Sequence, residues 1–353
     1  MNNRLISRRY PLVSGTMADA AAAALSMTPL SIEREQKWLE ALILNVSLTI
    51  STTGGTALGT ATEVSALGLA GIVRDLNLEV NDTSPRSVVR SNGASLVELA
   101  ARERCLLSPD TLLTVTNKNL SVATYTLRIP IWIAPPSVED PGGTYFGIPL
   151  AGLKQNPILK ITWGKMGDYF SVVGSTALNA EVELLLRDVK DKSPMYLASE
   201  ILTESFAWVA AGKRRYELPE GGFLLSLLGQ SMNNSFARGN PMNASTDEWT
   251  IYHGTEPVFN KSVVGAHVAA EEDTMQTAAT AAFPVNGSLF ANFMADRPDA
   301  GAFSLASVPN MNLLAGGGDK VFVEASNVGN AGNKTYFTRR VLRGTSFGGV
   351  LGL

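Results

Sequence analysis

The sequence predicts an all-β protein with a few short helices, organised as two consecutive β-sandwich units. Three observations carry this. Tyr125, Leu127, Ile129, Ile131 and Ile133 alternate with Thr126, Arg128, Pro130 and Trp132; a strand repeats every two residues, so five apolar side chains fall on one face. The same texture recurs: Leu44, Val46, Leu48 and Ile50 alternate with Asn45, Ser47, Thr49 and Ser51, and Ile72, Leu76, Leu78 and Val80 with Val73, Asp75, Asn77 and Glu79, Arg74 being the one polar residue on the apolar side. Turns rich in Gly, Pro, Ser and Asn separate these stretches, which fits packed antiparallel sheets better than a parallel α/β core.

In chain order, residues 1–34 read as an N-terminal arm and a helix start. The arm has no strong period, apart from a short helix candidate at Ala18 to Met27. Ser31 is the expected N-cap of the next helix, with Glu33 and Glu35 in its first turn, where the helix dipole favours acids. Trp38, Leu39 and Leu42 would form its apolar face before it runs into the strand Leu42 to Ser51. A small-residue loop, Thr52 to Gly71, precedes the strand Ile72–Val80. Ser95-Leu-Val-Glu98 has the form of a capping box opening a helix through Leu107. Strands are predicted at Leu112–Thr116, Tyr125–Ile133, Ile158–Trp163 and Val182–Val189.

The second half restarts the plan. Phe206–Val209, Arg215–Leu218, Phe223–Leu228, Glu248–His253, Val258–Val263, Lys320–Ala325 and Thr335–Leu342 read as strands, and Ala269–Ala282 as an Ala-rich helix with Glu271, Glu272 and Asp273 early. The expected units are 35–203 and 204–345, joined near Ser199 to Glu204, with a tail at 346–353. Each is of a size for one β-sandwich.

Composition narrows the function. Charged residues are 17% of the 353, against about 25% in typical proteins. Either a Ser/Thr/Asn/Gly-rich surface or extensive burial against other subunits accounts for this. A net charge of −3 argues against a general nucleic-acid binder, which carries a basic stripe. The one basic cluster, Arg4, Arg8 and Arg9, is suited to an anionic surface such as lipid headgroups or nucleic acid, or simply to solvent. The single cysteine, Cys105, excludes an intrachain disulfide and a cysteine-based zinc site. It falls in the predicted helix, as a buried structural thiol. No run reaches the roughly 18 apolar residues of a membrane span. Pro11, Gly15 and Asp19 interrupt any signal-peptide core, so a chain made and kept in a cytoplasm is expected.

No catalytic constellation stands out. The two histidines, His253 and His267, lie on different predicted elements and lack a helical metal-ligand spacing. Gly229-Gln-Ser231-Met-Asn only half resembles a nucleophile elbow. Gly54, Gly55 and Gly59 lack the Lys-Ser/Thr of a phosphate loop. Gly316-Gly317-Gly318 reads as a turn. Asp296 and Asp299 fit surface-loop acids and match no EF-hand spacing. Trp132, Trp163, Trp208 and Trp249 suit a core or a subunit interface, with a sugar-stacking platform as the rival use. The expectation is a protein without catalytic residues or cofactor, a structural cation being left open.

The helix leading into the first strand, the two β-rich units, and the runs Gly71-Ile-Val-Arg-Asp-Leu-Asn-Leu-Glu-Val80 and Leu127-Arg-Ile-Pro-Ile-Trp-Ile133 resemble the double jelly-roll major capsid proteins of tailless, icosahedral, membrane-containing bacteriophages of the PRD1, PM2 and FLiP lineage. Gly147-Ile-Pro-Leu150 and Asn156-Pro-Ile-Leu-Lys-Ile-Thr-Trp163 have the same character. The resemblance covers roughly residues 35–345 and rests on strand texture, because the family has no short diagnostic motif. It implies two eight-stranded jelly rolls per subunit and homotrimers with a pseudo-hexagonal outline. It also implies an icosahedral shell around an internal membrane, with penton and minor capsid or membrane proteins as further partners. The protein would reside in the virion, assembled in a host cytoplasm, and bind no specific nucleic-acid sequence. Arg4, Arg8 and Arg9 would face the bilayer from the arm. Arg128 and Trp132, on the second face of their strand, are candidates for contact with the other jelly roll or a neighbouring subunit. The rival readings are a phage spike or fibre or other carbohydrate-binding β-sandwich, and a β-sandwich enzyme.

Overall fold

The computed structural model describes residues 5–17, 25, 27–51, 66–81, 84–103, 112–116, 122–133, 145–164, 175–188, 196–219, 223–232, 246–262, 288–292, 320–327 and 333–344. Their strands are β1 (Leu5–Met17), β2 (Leu30–Ser31), β3 (Lys37–Ser51), β4 (Val73–Asn81), β5 (Pro85–Ser91), β6 (Leu113–Thr116), β7 (Val122–Trp132), β8 (Tyr145–Phe146), β9 (Ile148–Pro149), β10 (Gln155–Trp163) and β11 (Ser175–Asp188). They continue with β12 (Tyr196–Ala207), β13 (Gly212–Glu217), β14 (Phe223–Met232), β15 (Thr246–His253), β16 (Glu256–Ser262), β17 (Ser288–Asn292), β18 (Val321–Asn327) and β19 (Lys334–Gly344). The helices are α1 (Ala66–Ala70) and α2 (Gly93–Glu103), and a 3₁₀ turn occupies Leu150–Gly152. The chain divides into two compact units, the break falling between β11 and β12.

In the first unit, one sheet has the order β1-β11-β3-β7, extended at its edge by β6, and the other the order β2-β10-β4-β5. Counting the main strands as first to eighth (β1, β2, β3, β4, β5, β7, β10, β11), the sheets read 1-8-3-6 and 2-7-4-5. The second unit has eight strands, β12 to β19, in sheets β12-β19-β14-β17 and β13-β18-β15-β16, which is again 1-8-3-6 and 2-7-4-5. Both are jelly rolls, two four-stranded antiparallel sheets wound by the same Greek-key path.

The first core is the sequence's alternation made physical. Leu42, Leu44, Val46, Leu48 and Ile50 of β3, Tyr125, Leu127, Ile129 and Ile131 of β7, and Leu178, Val182 and Leu184 of β11 are buried. The second centres on an aromatic cluster. Phe206 meets Trp208 edge to face at 5.1 Å, and Phe337 meets Trp249 at 5.6 Å and stacks on Tyr216 at 5.9 Å. Trp208 donates its indole N–H to Thr335 Oγ1 at 2.6 Å, so a buried polar atom is satisfied.

Several expectations are corrected. Residues 5–17 form the first strand of the first jelly roll, paired along β11 on both sides of a register shift between Pro11 and Val13, and are not an arm. No helix starts at Ser31: Lys37 to Leu42 already belong to β3. Trp38, Leu39, Ala41, Leu42, Ile43 and Leu44 are all buried, and a strand covered on both faces gives an unbroken apolar run that periodicity cannot tell from a helix. Ser95-x-x-Glu98 does not cap the helix. Asn92 does: its Oδ1 accepts from the Ser95 N–H at 2.9 Å and its Nδ2 donates to Ser95 Oγ. Glu98 is instead buried in an ion pair with Arg102 at 3.2 Å. α1 falls in a stretch expected to be loop, and α2 packs on α1, β4 and β7. The helix candidate at Ala269–Ala282 and most of that at Ala18–Met27 lie outside the described residues, as do Arg4, Cys105, His267, Asp296, Asp299, Gly316–Gly318 and the tail.

Candidate functional site

The first sheet of the first jelly roll has two faces: one builds the main core, and the other is buried only at one end, around Ala41, Ile43 and Leu185. This second face is a four-strand-wide surface set by register. Across β1, β11, β3 and β7 the rows run Ser7–Leu185–Ala41–Trp132, then Arg9–Glu183–Ile43–Pro130, then Pro11–Glu181–Asn45–Arg128, then Ser14–Asn179–Ser47–Thr126. Arg128 and Trp132, singled out from the sequence, therefore share this face with Arg9. Arg8 lies one residue away in register and has different partners.

The face divides by chemistry. At one end Ala41, Ile43 and Leu185 are buried, and Trp132 packs on them half-buried. In the middle, Glu183 is nearly covered, its side chain 11% exposed, and lies 3.7 Å from Arg9 and 4.0 Å from Arg128. Ser7 also donates its hydroxyl to Glu183. Glu181 receives Arg9 at 3.6 Å and the Asn45 amide at 3.3 Å. Both arginines keep most of their side chain in solvent, 65% for Arg9 and 59% for Arg128, so these pairs are largely screened and hold geometry more than they add stability. At the other end Ser14 donates to Asn179 at 2.5 Å. A depression of about 360 Å³ opens there between Pro11, Val13, Asn45, Ser47, Thr126 and Asn179.

Arg8 grips Glu35 with two nitrogens at 2.5 and 3.1 Å, and Lys37 reaches the same carboxylate at 2.5 Å. Glu35, read from the sequence as a helix-start acid, is thus a strand-to-strand tie. Sequence reasoning missed Glu181 and Glu183 as partners of Arg9 and Arg128. Their signal was present in Ala180-Glu-Val-Glu-Leu184, whose alternation puts both carboxylates on one face.

Among the described residues no three His, Cys, Asp or Glu side chains converge as metal ligands. His253 ends β15, opposite Glu256 across a tight turn. Gly229 to Ser231 run inside β14, where Gln230 and Ser231 are buried, so the half-elbow is a strand interior. Of the five tryptophans, Trp38, Trp163, Trp208 and Trp249 are buried and Trp132 is half-buried on the face described above.

No protein-family model matches the sequence, and no curated protein matches it in sequence. Solved structures do match the fold. The STIV major capsid protein superposes with a TM-score of 0.70 at 13% identity, over 99% of this chain and 100% of that one. The major capsid protein of bacteriophage PM2 gives 0.54 at 11% identity, over 97% and 99%. A chain of the Sputnik virophage gives 0.52 at 9% identity, over 97% and 86%. With two jelly rolls of identical strand order in one chain, the fold of this protein is that of the double jelly-roll major capsid proteins.

Proposed function

We propose that this protein is a structural virion component, a major capsid protein that works by self-assembly and without catalysis. The observation that carries the reading is the end-to-end correspondence of both jelly rolls with the STIV major capsid protein, at a TM-score of 0.70 over 99% of this chain. The low charge content supports it, since subunits tiled in a shell bury surface that a free monomer would keep charged. Jelly rolls also protect most sheet edges and leave broad flat sides for tiling.

The finer proposal is a homotrimer of pseudo-hexagonal outline, assembled into an icosahedral shell around an internal membrane, with penton and minor capsid or membrane proteins as neighbours. The face bearing Arg128 and Trp132 is the proposed subunit contact: a half-buried indole and an exposed arginine on one face are residue types that interfaces favour. An anionic bilayer is the proposed inner-face contact for the basic cluster. Glu35 occupies Arg8, and Arg9 shares the Arg128 face through Glu183, so Arg9 serves either the bilayer or the subunit contact and not both.

Electron microscopy of the purified protein, with light scattering, tests the reading. Triangular or hexagonal-looking particles of three copies are expected. A monodisperse monomer at micromolar concentration would sink it. Replacing Trp132 by Ala together with Arg128 by Glu is expected to shift the trimer toward monomer.

A further inference from the structure

We propose that β1 is an exchangeable strand, and that the β11 edge it occupies is a docking site for β1 of a second copy of this chain. This goes beyond the capsid reading and does not depend on it.

The two strands of this pair are unequal. From Ile6 to Thr16 no residue of β1 is buried, whereas β11 beside it buries Thr176, Leu178, Ala180, Val182, Leu184, Leu185 and Leu186. β1 is the outermost strand of its sheet, and its strand contacts are with β11. It is therefore held mostly by the backbone ladder and by polar ties: Ser7 and Arg9 to Glu183, Arg9 to Glu181, Ser14 to Asn179, and Arg8 to Glu35. Its apolar side chains, such as Ile6, Tyr10 and Leu12, are no more than half-buried. The ladder is itself interrupted where register slips between Pro11 and Val13, and Pro11 has no N–H to give. Elements with few buried apolar contacts and solvent-facing hydrogen bonds open at lower free energy than the core around them.

An opened β11 edge offers a row of unpaired backbone groups to another strand. The strand that fits it is written into this chain. Arg9 opposite Glu183, Ser14 opposite Asn179 and Ser7 within reach of Glu183 are contacts that the β1 sequence makes in this one register, beside the Arg128 pair to Glu183 from β7. A second copy supplies that sequence, and exchange of an identical element creates no new contact type, which is why it is a low-cost route to association. Twelve residues separate Met17 from Leu30, a span of up to about 40 Å when extended, enough for a strand to leave its own edge and reach a neighbour's.

Paired cysteines in separate copies test this. Ser14→Cys is made in one full-length population and Asn179→Cys in another, both with Cys105→Ser. Ser14 and Asn179 are exposed, so neither change disturbs the core. After mixing and mild oxidation, a disulfide-linked heterodimer joined at 14–179 is expected, forming faster as salt weakens the Arg–Glu ties. A control mixture of Ser14→Cys with Ala177→Cys, out of register, is expected to give far less. Absence of the 14–179 heterodimer overturns the proposal, and so does equal yield from the control. A second readout is hydrogen exchange on the unmodified chain. The β1 amides are expected to exchange about tenfold or more faster than those of β3 and β7; equal protection also overturns the proposal.

Discussion

Gly93 opens α2 because nothing larger fits there. A Cβ at this position would lie 2.0 Å from the Ala70 carbonyl oxygen and 2.9 Å from Val73 Cβ, and a backbone carbonyl cannot swing aside as a flexible side chain can. Gly93→Ala is expected to cost about 2–3 kcal/mol, read as a lowered denaturant midpoint at unchanged slope. Tyr216 makes a second residue-scale case. Burial, then its hydrogen bond to Glu204, pushes its phenol from 10.0 to about 12. The folded state therefore holds this proton where the unfolded chain releases it. Its contribution to stability is complete below pH 10 and is lost as pH rises toward 12. Absorbance titration of the native protein should show Tyr216 ionising late, and Tyr216→Phe should lack that late step. Neither residue was legible beforehand. A glycine's necessity and a phenol's burial depend on what comes near from distant sequence, while the alternation around Leu127 and Ile129 depends only on the chain itself.

Elements were legible in proportion to how far one face differed from the other. β7, β4 and the Asn45–Ser51 half of β3 alternate cleanly and were read correctly. The Lys37–Leu42 stretch of β3 is covered on both sides, so its period vanished and a helix running into the strand Leu42–Ser51 was inferred instead. β1 failed for the opposite reason: with no buried residue from Ile6 to Thr16, it carries little hydrophobic contrast and reads as an arm. The longer helix was found, but its start was misassigned. Ser95-x-x-Glu98 has the right residues for a capping box, yet Asn92 stands at the position from which an amide oxygen reaches the Ser95 N–H. Asn92→Ala should therefore lower stability by about 1 kcal/mol, and Glu98, if it served as a cap, should tolerate Gln. Paired instead with Arg102 away from solvent, Glu98→Ala is expected to cost about 3–5 kcal/mol. Comparing the two variants by thermal and denaturant unfolding separates the roles.

At the scale of the whole molecule, strand order was beyond the sequence, because pairings such as β1 with β11 and β12 with β19 join residues more than a hundred positions apart. What repetition of style could suggest, the pairings make definite: two units share the 1-8-3-6 and 2-7-4-5 path. The candidate face followed the same logic. Arg128 and Trp132 were placed on a shared face by period alone, whereas Arg9, Glu181 and Glu183 joined them only through register. A face of this kind has a thermodynamic signature if it meets another copy. Association stabilises the native state by mass action, so the unfolding temperature of a self-assembling protein rises with its concentration, while that of a monomer does not. Scanning the chain from about 1 to about 100 µM should raise the unfolding midpoint by several degrees. The Arg128→Glu, Trp132→Ala variant should flatten that dependence, starting from a lower midpoint at the dilute end, because Trp132 packs on Ala41, Ile43 and Leu185 within one subunit whereas the Arg128 pair is largely solvated. A midpoint that ignores concentration in the unsubstituted chain would mean that this face is solvent-facing and that the low charge content has another cause.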